Sequence, residues 1–411
     1  MATGFGVCLC LSFGTGHLLI RSLWNLGGNV ADILLISTDH SPMRGGIARV
    51  IEHFCRSFEK GKLVVLACDH SEAKKESNVI RLTVDLNASW LGKTAQLLIW
   101  LLESVSQIRR YSIPLVVIST LSPMGILGPI LKYFFGKPYC IFAYASEIPM
   151  RNSFFFRRWL ARIIYESSSR VLCISEYALA RVLAVAPNAR CAITTLGVDC
   201  SRFKIKARNK NLIKRYGLEG RRVFLCLGRL VRRKGYDRAI ESFAKAFAGR
   251  NDVMLLIAGD GPDRESLSAL AINLGVGSIV RFAGALEEHE LVDVYNLAEV
   301  FLFLAREEKG DAEGFGLVIL EAAACGCVVI GGRSGAIPEV IQDGGTGVLV
   351  DPENVDEIAS KMSELIQNDE LRKNLSEQGR AYALSQTWNR TGETIRQIFE
   401  TVSSGGARAR G

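Results

Sequence analysis

Two glutamates eight positions apart, Glu313 and Glu321, flank a Gly-Phe-Gly turn in the stretch EGFGLVILEA. Glycines are poor helix formers, so Glu313 is predicted on a loop and Glu321 about two turns further on, inside a helix. Ionised carboxylates accept hydrogen bonds, and both side chains are candidates for holding hydroxyl groups of a ligand. Taken alone, the pair is better explained as acidic residues that complement a helix dipole.

The backbone at the start of the same helix forms a second candidate group. The first turn of a helix leaves its N–H groups without partners inside the helix, and these groups favour an anion. The amides concerned are predicted to be those of Phe315, Gly316, Leu317 and Val318. We expect them to face a negatively charged ligand such as a diphosphate.

A basic loop, LGRLVRRKG, follows another predicted strand and carries Arg229 and Lys234. These cations suit a diphosphate, since arginine binds phosphate oxygens through its planar fork and lysine acts as a point charge. The neighbouring Arg232 and Arg233 are expected to be solvated, as charge runs usually are. Together with this loop, the glutamate pair favours a ligand site over dipole complementarity.

Two glycine turns complete the set of candidates. Gly46 opens the helix GIARVIEHF, where a glycine lets a backbone approach a ligand closely. Gly259 and Asp260, in IAGDGP, are suited to meet a nucleotide base or ribose. An ordinary tight turn explains each of these motifs equally well when it is taken alone.

Short apolar runs alternate with helical patterns, six runs in each half of the chain. Continuous apolar strands separated by helices are typical of parallel sheets covered on both faces. We predict an α/β fold of two doubly wound, Rossmann-like domains facing one another across an interdomain cleft. Because ligands bind at the carboxyl ends of parallel strands, the loops above are expected to meet in that cleft.

The length of 411 residues supports two domains, because one hydrophobic core rarely serves so long a chain. The predicted parts are an N-terminal extension at 1–30, a first domain at 31–204, a linker at 205–220, a second domain at 221–385, and a C-terminal helix and tail at 386–411 that packs back on the first domain. The polar, basic stretch between the two halves sets the boundary.

Basic residues are concentrated in the first half: residues 1–204 contain 23 Lys and Arg against 13 Asp and Glu, and the remainder 27 against 29. This excess favours an anionic partner. GPILKYFFGKPY and RNSFFFRRWLARII mix aromatic and basic residues, as interfacial helices do. We predict peripheral binding to an anionic membrane, and the alternative is that Phe154–Phe156 and Trp159 are core residues.

Several classes of site are not expected. The eleven cysteines include no CxxC pair, which suits the reduced thiols of a cytosolic protein, and the close pairs Cys8/Cys10 and Cys325/Cys327 are interpreted as packing residues. The chain contains no Asp-x-Asp motif, so a carboxylate-held metal has no obvious ligands. It also has neither a Walker loop nor GxGxxG, and we expect no nucleic-acid partner.

The ordered motifs GG, GRLVRRKG, IAGDGP, EGFGLVILEA and GAIPEVIQDGGTGVLVDP resemble those of the retaining nucleotide-sugar glycosyltransferases of family 4, which have the GT-B fold. The match runs from about residue 31 to 400 and includes the Glu-x7-Glu motif. The resemblance implies transfer of a sugar from a nucleotide-diphosphate donor with retained anomeric configuration, without a metal or other cofactor. The second domain would then bind the nucleotide sugar. From the basic and aromatic stretches of the first half, we expect a glycan or lipid-linked acceptor.

The resemblance also implies roles for single residues. Arg229 and Lys234 resemble the family's diphosphate clamp, and Glu313 resembles the residue that holds the hydroxyls of the donor sugar. Glu321 resembles the ribose ligand, and Gly46 the first-domain glycine on the phosphate side of the cleft. The longer loop beginning AREEKGDAEGFG, with Arg306, Glu307, Glu308 and Lys309, is expected to extend the rim of the cleft.

The chain departs from the family at one position. The family often carries His-Gly-Ser-Asp/Glu after a first-domain strand, and this chain has Tyr144-Ala145-Ser146-Glu147. A phenol replaces the imidazole and still makes a hydrogen bond, but no catalytic histidine is assigned. Three rival functions therefore stay open: a GT-B glycoside phosphorylase, a sugar-nucleotide epimerase, and a non-catalytic partner that binds a nucleotide sugar.

Overall fold

The computed structural model describes residues 31–41, 45–59, 61–69, 78–83, 89–149 and 155–408. The predicted N-terminal extension, with Cys8 and Cys10, lies outside the described residues, and so does Phe154. The nine cysteines among the described residues form no disulfide bond with one another, and Cys325 and Cys327 are buried.

The first sheet has seven parallel strands in the order β3-β2-β1-β4-β5-β6-β7. Their bounds are β1 Ile33–Ser37, β2 Leu63–Cys68, β3 Val79–Leu82, β4 Leu115–Ile118, β5 Tyr139–Ala143, β6 Arg170–Cys173 and β7 Cys191–Ile193. Strands β1, β2, β4 and β5 are buried along their whole length, as their apolar runs predict. The sequence pattern missed β3, a half-buried edge strand interrupted by Arg81, because it lacks a continuous apolar run.

Five helices cover this sheet: α1 Gly46–Arg56, α2 Trp90–Arg110, α3 Leu127–Phe135, α4 Phe155–Ser167 and α5 Glu176–Val185. The predicted apolar face of α1 is confirmed, with Val50, Ile51 and Phe54 buried against the sheet. The helix follows the Gly45-Gly46 pair, so its N-terminus lies beyond the carboxyl end of β1.

The second sheet has six parallel strands in the order β10-β9-β8-β11-β12-β13, one for each predicted run. After a short helix, α6 Lys210–Tyr216, the elements are β8 Arg222–Leu227, α7 Tyr236–Phe247, β9 Val253–Ala258, α8 Arg264–Asn273, β10 Val280–Gly284, α9 Leu291–Tyr295, β11 Val300–Phe303, α10 Leu317–Ala324, β12 Val328–Gly332, α11 Ile337–Val340, β13 Val348–Val350, α12 Val355–Gln367, α13 Asp369–Ser385 and α14 Trp388–Arg408.

Both sheets are doubly wound, which confirms the predicted α/β architecture of two Rossmann-like domains. The strand order reverses between β1 and β4 in the first sheet and between β8 and β11 in the second. Ligand sites of such sheets lie beyond the carboxyl ends of the strands at this reversal. The loops after β8 and β11 are therefore neighbours, although about 75 residues separate them along the chain.

The segment between the two sheets is more ordered than a bare connection. It contains α6, which is capped by the side chain of Asn209 and buries Leu212 and Tyr216. The Asn209 side chain donates to Asp293 Oδ2 at 2.8 Å, in the second domain. The basic stretch at 205–220 therefore packs on the second domain.

The chain returns to the first domain through α14. Arg396 donates to the carbonyl of Ser57 at 2.8 Å, and the Phe399 ring lies 6.2 Å from that of Phe54. The His53 ring stacks flat on Trp388, with centroids 4.3 Å apart. Burial and the nearby charge of Arg56 lower the pKa of His53 to about 4, so the stacked imidazole is neutral.

This stacked histidine predicts a stability change with pH. The unfolded histidine titrates near 6.5 and the folded one near 4, so the unfolded state binds the additional proton between these values. Wild-type stability is expected to fall relative to that of His53→Phe as the pH drops through this range, because phenylalanine keeps a ring on Trp388 but takes up no proton. Urea unfolding of both proteins at a series of pH values measures the difference. A difference that stays constant with pH would contradict the prediction.

Candidate active site

A cavity of about 380 Å³ lies between the two domains at the carboxyl ends of both sheets. From the first domain it is lined by the start of α1 and by the turn after β5, and from the second by the loops after β8 and β11. A larger cavity, of about 560 Å³, lies between the start of β1 and α14, away from the predicted site. Eight predicted site residues line the interdomain cavity: Gly46, Arg229, Lys234, Glu313, Phe315, Gly316, Leu317 and Val318.

The carboxylate of Glu313 is the centre of a charge cluster on this cavity wall. Its Oε2 accepts hydrogen bonds from Lys234 Nζ at 2.6 Å and from Arg233 Nη1 at 3.0 Å. Burial opposes ionisation of Glu313, but the charges of Lys234 and Arg233 outweigh it and lower the pKa of the carboxyl. Arg233 also pairs with Asp311 at 3.2 Å, so the expectation that it is merely solvated is wrong.

Close backbone contacts hold the basic loop against β11. Gly235 has a φ of +73°, and a Cβ there would lie 2.1 Å from the carbonyl oxygen of Leu304, so only glycine fits. This contact places Lys234 with its Nζ 4.7 Å above the Phe303 ring. Arg306, expected at the cleft rim, is instead buried in an ion pair with Asp237 at 2.8 Å.

The turn before α10 brings backbone amides to the cavity. Gly316 precedes the helix with a φ of +90°, which is why a glycine stands at this point. The amides of Leu317 and Val318 in the first turn of α10 have no acceptor inside the helix, whereas the amide of Ile319 donates to the carbonyl of Gly316 at 2.9 Å. The positive end of the helix dipole lies at the cavity wall. Cations and amide donors therefore line the same wall, as a phosphate group requires.

Glu321 occupies a different place from the other predicted residues. It is only 4% exposed and is absent from the cavity wall. Its Oε1 pairs with Arg49 of α1, and its Oε2 accepts a hydrogen bond from the Tyr295 hydroxyl at 2.9 Å. The carboxylate thus joins the two domains, and its contact with a ribose stays a prediction.

The IAGDGP turn packs against the basic loop and does not line the cavity. Neither Gly259 nor Asp260 lines the cavity. A Cβ on Gly259 would lie 1.9 Å from the carbonyl oxygen of Gly228, so this glycine allows two loops to pack. The carbonyl of Asp260 accepts from the amide of Leu230 at 2.9 Å, next to Arg229. A contact of this turn with a nucleotide also stays a prediction.

Tyr144 lines the cavity at the position where the family often has histidine. It is 4% exposed, and its hydroxyl has no hydrogen-bond partner within the described parts of the chain. Burial raises the pKa of Tyr144 well above its ordinary value, so the phenol stays neutral and able to donate. Glu147 accepts from the amides of Leu121 at 2.7 Å and Tyr144 at 3.2 Å, and burial raises the pKa of Glu147 to about 8.

Direct contacts between the domains border the cavity. Ser175 donates to the carbonyl of Gly314 at 2.8 Å, next to Glu313. The carboxylate of Glu339 accepts from the amides of Glu176 and Tyr177, both at 2.7 Å, at the start of α5. Sequence reasoning assigned no role to these residues, although Glu339 lies within the motif GAIPEVIQ, because their partners belong to the opposite domain.

The described residues contain no group of three or more His, Cys, Asp or Glu side chains that could hold a metal ion. The charged groups on the cavity wall are mainly cationic, with Arg49, Arg229 and Lys234 around the single carboxylate of Glu313. Such a wall suits a ligand that combines an anionic phosphate with a sugar, whose hydroxyl groups can donate to the carboxylate.

Comparison with known proteins identifies the family to which the chain is similar. The model of "Glycosyltransferase Family 4" matches residues 44–202, and that of "Glycosyl transferases group 1" matches residues 208–382. The GDP-mannose-dependent alpha-(1-6)-phosphatidylinositol monomannoside mannosyltransferase of Mycolicibacterium smegmatis is 30% identical over 386 residues, covering 89% of this chain and 98% of the relative. The N-acetyl-alpha-D-glucosaminyl L-malate synthase of Bacillus anthracis is 31% identical over 202 residues, about half of each chain.

A solved structure shares the whole fold. HepE of Anabaena, crystallised in complex with UDP, superimposes with a TM-score of 0.75 at 17% identity, over 90% of this chain and 100% of HepE. At this identity the likeness concerns the fold, which is GT-B.

The ion pair between Arg49 and Glu321 predicts a measurable coupling. Arg49→Met leaves a buried carboxylate without its cation and is expected to cost about 3 kcal/mol of unfolding free energy. Glu321→Gln should lower the free energy of unfolding less when it is made in the Arg49→Met protein than when it is made in the wild type. In the Arg49→Met protein it removes a carboxylate that no longer has its cation. Urea unfolding of the two single variants and the double variant measures the coupling. Additive costs would show that the pair contributes no stability.

Proposed function

This chain belongs to the glycosyltransferases of group 1 and family 4, with the GT-B fold, and we propose that it transfers a hexose from a nucleotide-diphosphate donor to a lipid-linked or glycan acceptor. In this proposal the anomeric configuration is retained and no metal ion takes part. The main support for this proposal is the carboxylate of Glu313, which accepts hydrogen bonds from both Lys234 and Arg233. It lies on the same cavity wall as the start of α10. The product would be a cell-surface glycolipid or polysaccharide.

Different residues of the cavity wall would bind the diphosphate and the sugar of such a donor. Arg229, Lys234 and the first-turn amides of α10 would hold the diphosphate. Both cations that contact Glu313 use its Oε2, so among the described residues Oε1 is the oxygen left for a sugar hydroxyl. Gly46 and Tyr144 border the same cavity from the first domain.

The proposed reaction is attack by an acceptor hydroxyl on the face of the sugar that the diphosphate leaves. The bond between the anomeric carbon and the phosphate oxygen breaks, the bond to the acceptor oxygen forms, and the acceptor proton passes to a phosphate oxygen. Negative charge grows on the departing diphosphate, where the cations and amides are already in place. Glu313 stays ionised, since Lys234 and Arg233 hold its pKa low.

The name of the relative from M. smegmatis indicates which donor and acceptor to test first. Its name specifies GDP-mannose as donor and a phosphatidylinositol monomannoside as acceptor. We propose a GDP-hexose, with GDP-mannose first, as the donor of this chain. UDP-sugars form the comparison set, because HepE was crystallised with UDP on the same fold.

An aromatic-basic face on the first domain supports a membrane-bound acceptor. Its aromatic residues are Tyr133, Phe134, Phe135, Phe155, Phe156 and Trp159, on the adjacent helices α3 and α4, and exposure reaches 84% at Phe155. The alternative that Phe155, Phe156 and Trp159 are core residues is therefore wrong. No helix among the described residues is both long and apolar enough to cross a bilayer. We propose that this face rests on an anionic membrane.

The diphosphate clamp can be tested against a neighbouring arginine. Lys234→Ala and Arg229→Ala are each expected to lower the rate of transfer from GDP-mannose by about 10²–10³-fold, because each removes one donor to the leaving group. Glu313→Gln should abolish transfer. Arg232→Ala, on the same loop with a 75% exposed side chain, is the control and should stay near the wild-type rate.

Transfer of radiolabelled mannose to a phosphatidylinositol monomannoside measures these rates, with folding checked by circular dichroism. Equal rates for Lys234→Ala and Arg232→Ala would overturn the site assignment. Products that depend on added phosphate would point to a phosphorylase, and an epimerised free donor to an epimerase. Donor binding without any product would favour the non-catalytic partner.

The membrane face is tested by vesicle co-sedimentation. Binding to vesicles with anionic lipid is expected at low salt and should weaken as salt rises, since part of the attraction is electrostatic. Phe155→Ser should weaken binding about tenfold, because one exposed phenylalanine no longer enters the interface. Ile272→Ser, at a 68% exposed position on the second domain, is the control. Absence of binding at low salt, or equal loss in both variants, would contradict the proposal.

A further inference from the structure

A second cavity between the domains, of about 440 Å³, is separate from the one that holds Glu313. Its walls come from α4 and α5 of the first domain and from the loop before Glu313 in the second. Its volume is within the range of about 300–1,000 Å³ that is usual for ligand pockets. The polar and charged side chains that line it are those of Arg158, Tyr177, Arg181 and Glu307.

Arg181 is held rigidly at this cavity by neutral oxygens. Its guanidinium donates to the carbonyls of Gly310 at 2.6 Å and Ile148 at 3.0 Å, one in each domain, and to the Tyr177 hydroxyl at 3.3 Å. Carbonyl and phenol oxygens fix the orientation of the side chain without neutralising its charge. A cation held in one geometry loses little further freedom when it binds an anion.

Arg158 supplies a second cation to the same cavity. It makes one long contact, to the carbonyl of Ala184 at 3.5 Å. A guanidinium has five N–H donors, so most donors of Arg158 and two of Arg181 are left for a ligand. In the described part of the chain the partners of both arginines are neutral oxygens. The acidic groups nearby are Glu307, exposed on the wall, and Asp311, which pairs with Arg233.

The helix that supplies Arg158 also carries part of the aromatic-basic face. Phe155, Phe156 and Trp159 are exposed on α4, and Arg158 stands among them in the chain while lining the cavity. A lipid bound at both places would set its acyl chains against the exposed rings of α4 and its headgroup in the cavity. The aromatic rings and the two arginines thus match the apolar and anionic parts of one molecule.

We propose that this cavity binds the phosphate group of the acceptor, with Arg158 and Arg181 as its ligands. The inference rests on the proposed function and specifies the acceptor as a phosphate-bearing molecule. Gly310, whose carbonyl holds Arg181, lies three residues before Glu313, so the anion site and the donor site share one loop. An acceptor anchored here would lie beside the loop that leads to Glu313.

The test compares neighbouring arginines of the same helix. Arg157 is exposed and absent from the cavity wall, so Arg157→Gln and Arg158→Gln remove the same charge at adjacent positions. Each protein, with saturating GDP to fill the donor cavity, is titrated with soluble inositol 1-phosphate and, separately, with vesicles that contain phosphatidylinositol. Calorimetry follows the soluble probe, and flotation follows the vesicles.

Arg158→Gln is expected to weaken binding of inositol 1-phosphate about tenfold and Arg157→Gln to leave it unchanged, because a charge-assisted pair to phosphate is lost in the first variant only. A selective loss in both titrations means that the phosphate itself is recognised. A selective loss with vesicles alone means that the site takes phosphate only as a lipid headgroup. Arg157 belongs to the basic stretch of the membrane face, so in the vesicle titration only a loss beyond that of Arg157→Gln is attributed to the cavity. Equal effects of the two substitutions in both titrations, or no effect in either, would overturn the proposal. Failure of the proposed function would appear separately, as wild-type protein that neither binds GDP nor transfers mannose.

Discussion

The ionised carboxylate of Glu313, shared by Lys234 and Arg233, is the interaction on which the site depends. Three charged groups held together away from water are tolerated only when each has a partner, because an uncompensated buried charge costs several kcal/mol. Glycines at 235 and 316 allow the loops that carry these groups to meet. The cluster therefore holds the loop after β8 against the loop after β11 at one wall of the cleft.

The cavity exists because two separately folded sheets meet at their carboxyl ends. Arg49 and Glu321, Ser175 and the carbonyl of Gly314, and Glu339 at the start of α5 are all contacts across that boundary. Each of them joins a group beside the site to the other domain. Movement of one domain against the other would change these contacts and the shape of the site together.

Helix α4 links the surface of the first domain to its interior. One part of the helix exposes aromatic rings, and Arg158 on the same helix lines a cavity beside the second domain. Basic residues of α4 and α5 thus lie both near the exposed aromatic face and at the second interdomain cavity. Both suit an acceptor with an apolar tail and an anionic head, and neither contributes to the donor cluster.

Local rules were enough to predict the two parallel sheets and the meeting of Arg229, Lys234, Glu313 and the amides of α10. Apolar runs mark buried strands, and ligand sites of such sheets lie at the carboxyl ends of their strands, whatever the details of packing. The half-buried strand β3 lacked that signal and was missed. Only the tertiary structure decided that Arg233 holds Glu313, that Arg306 is buried, and that Glu321 binds Arg49 from 272 positions away. The first two pairings depend on how loops of the second domain pack together, and the third depends on how the two domains meet. No periodicity along the chain encodes which of these side chains come into contact.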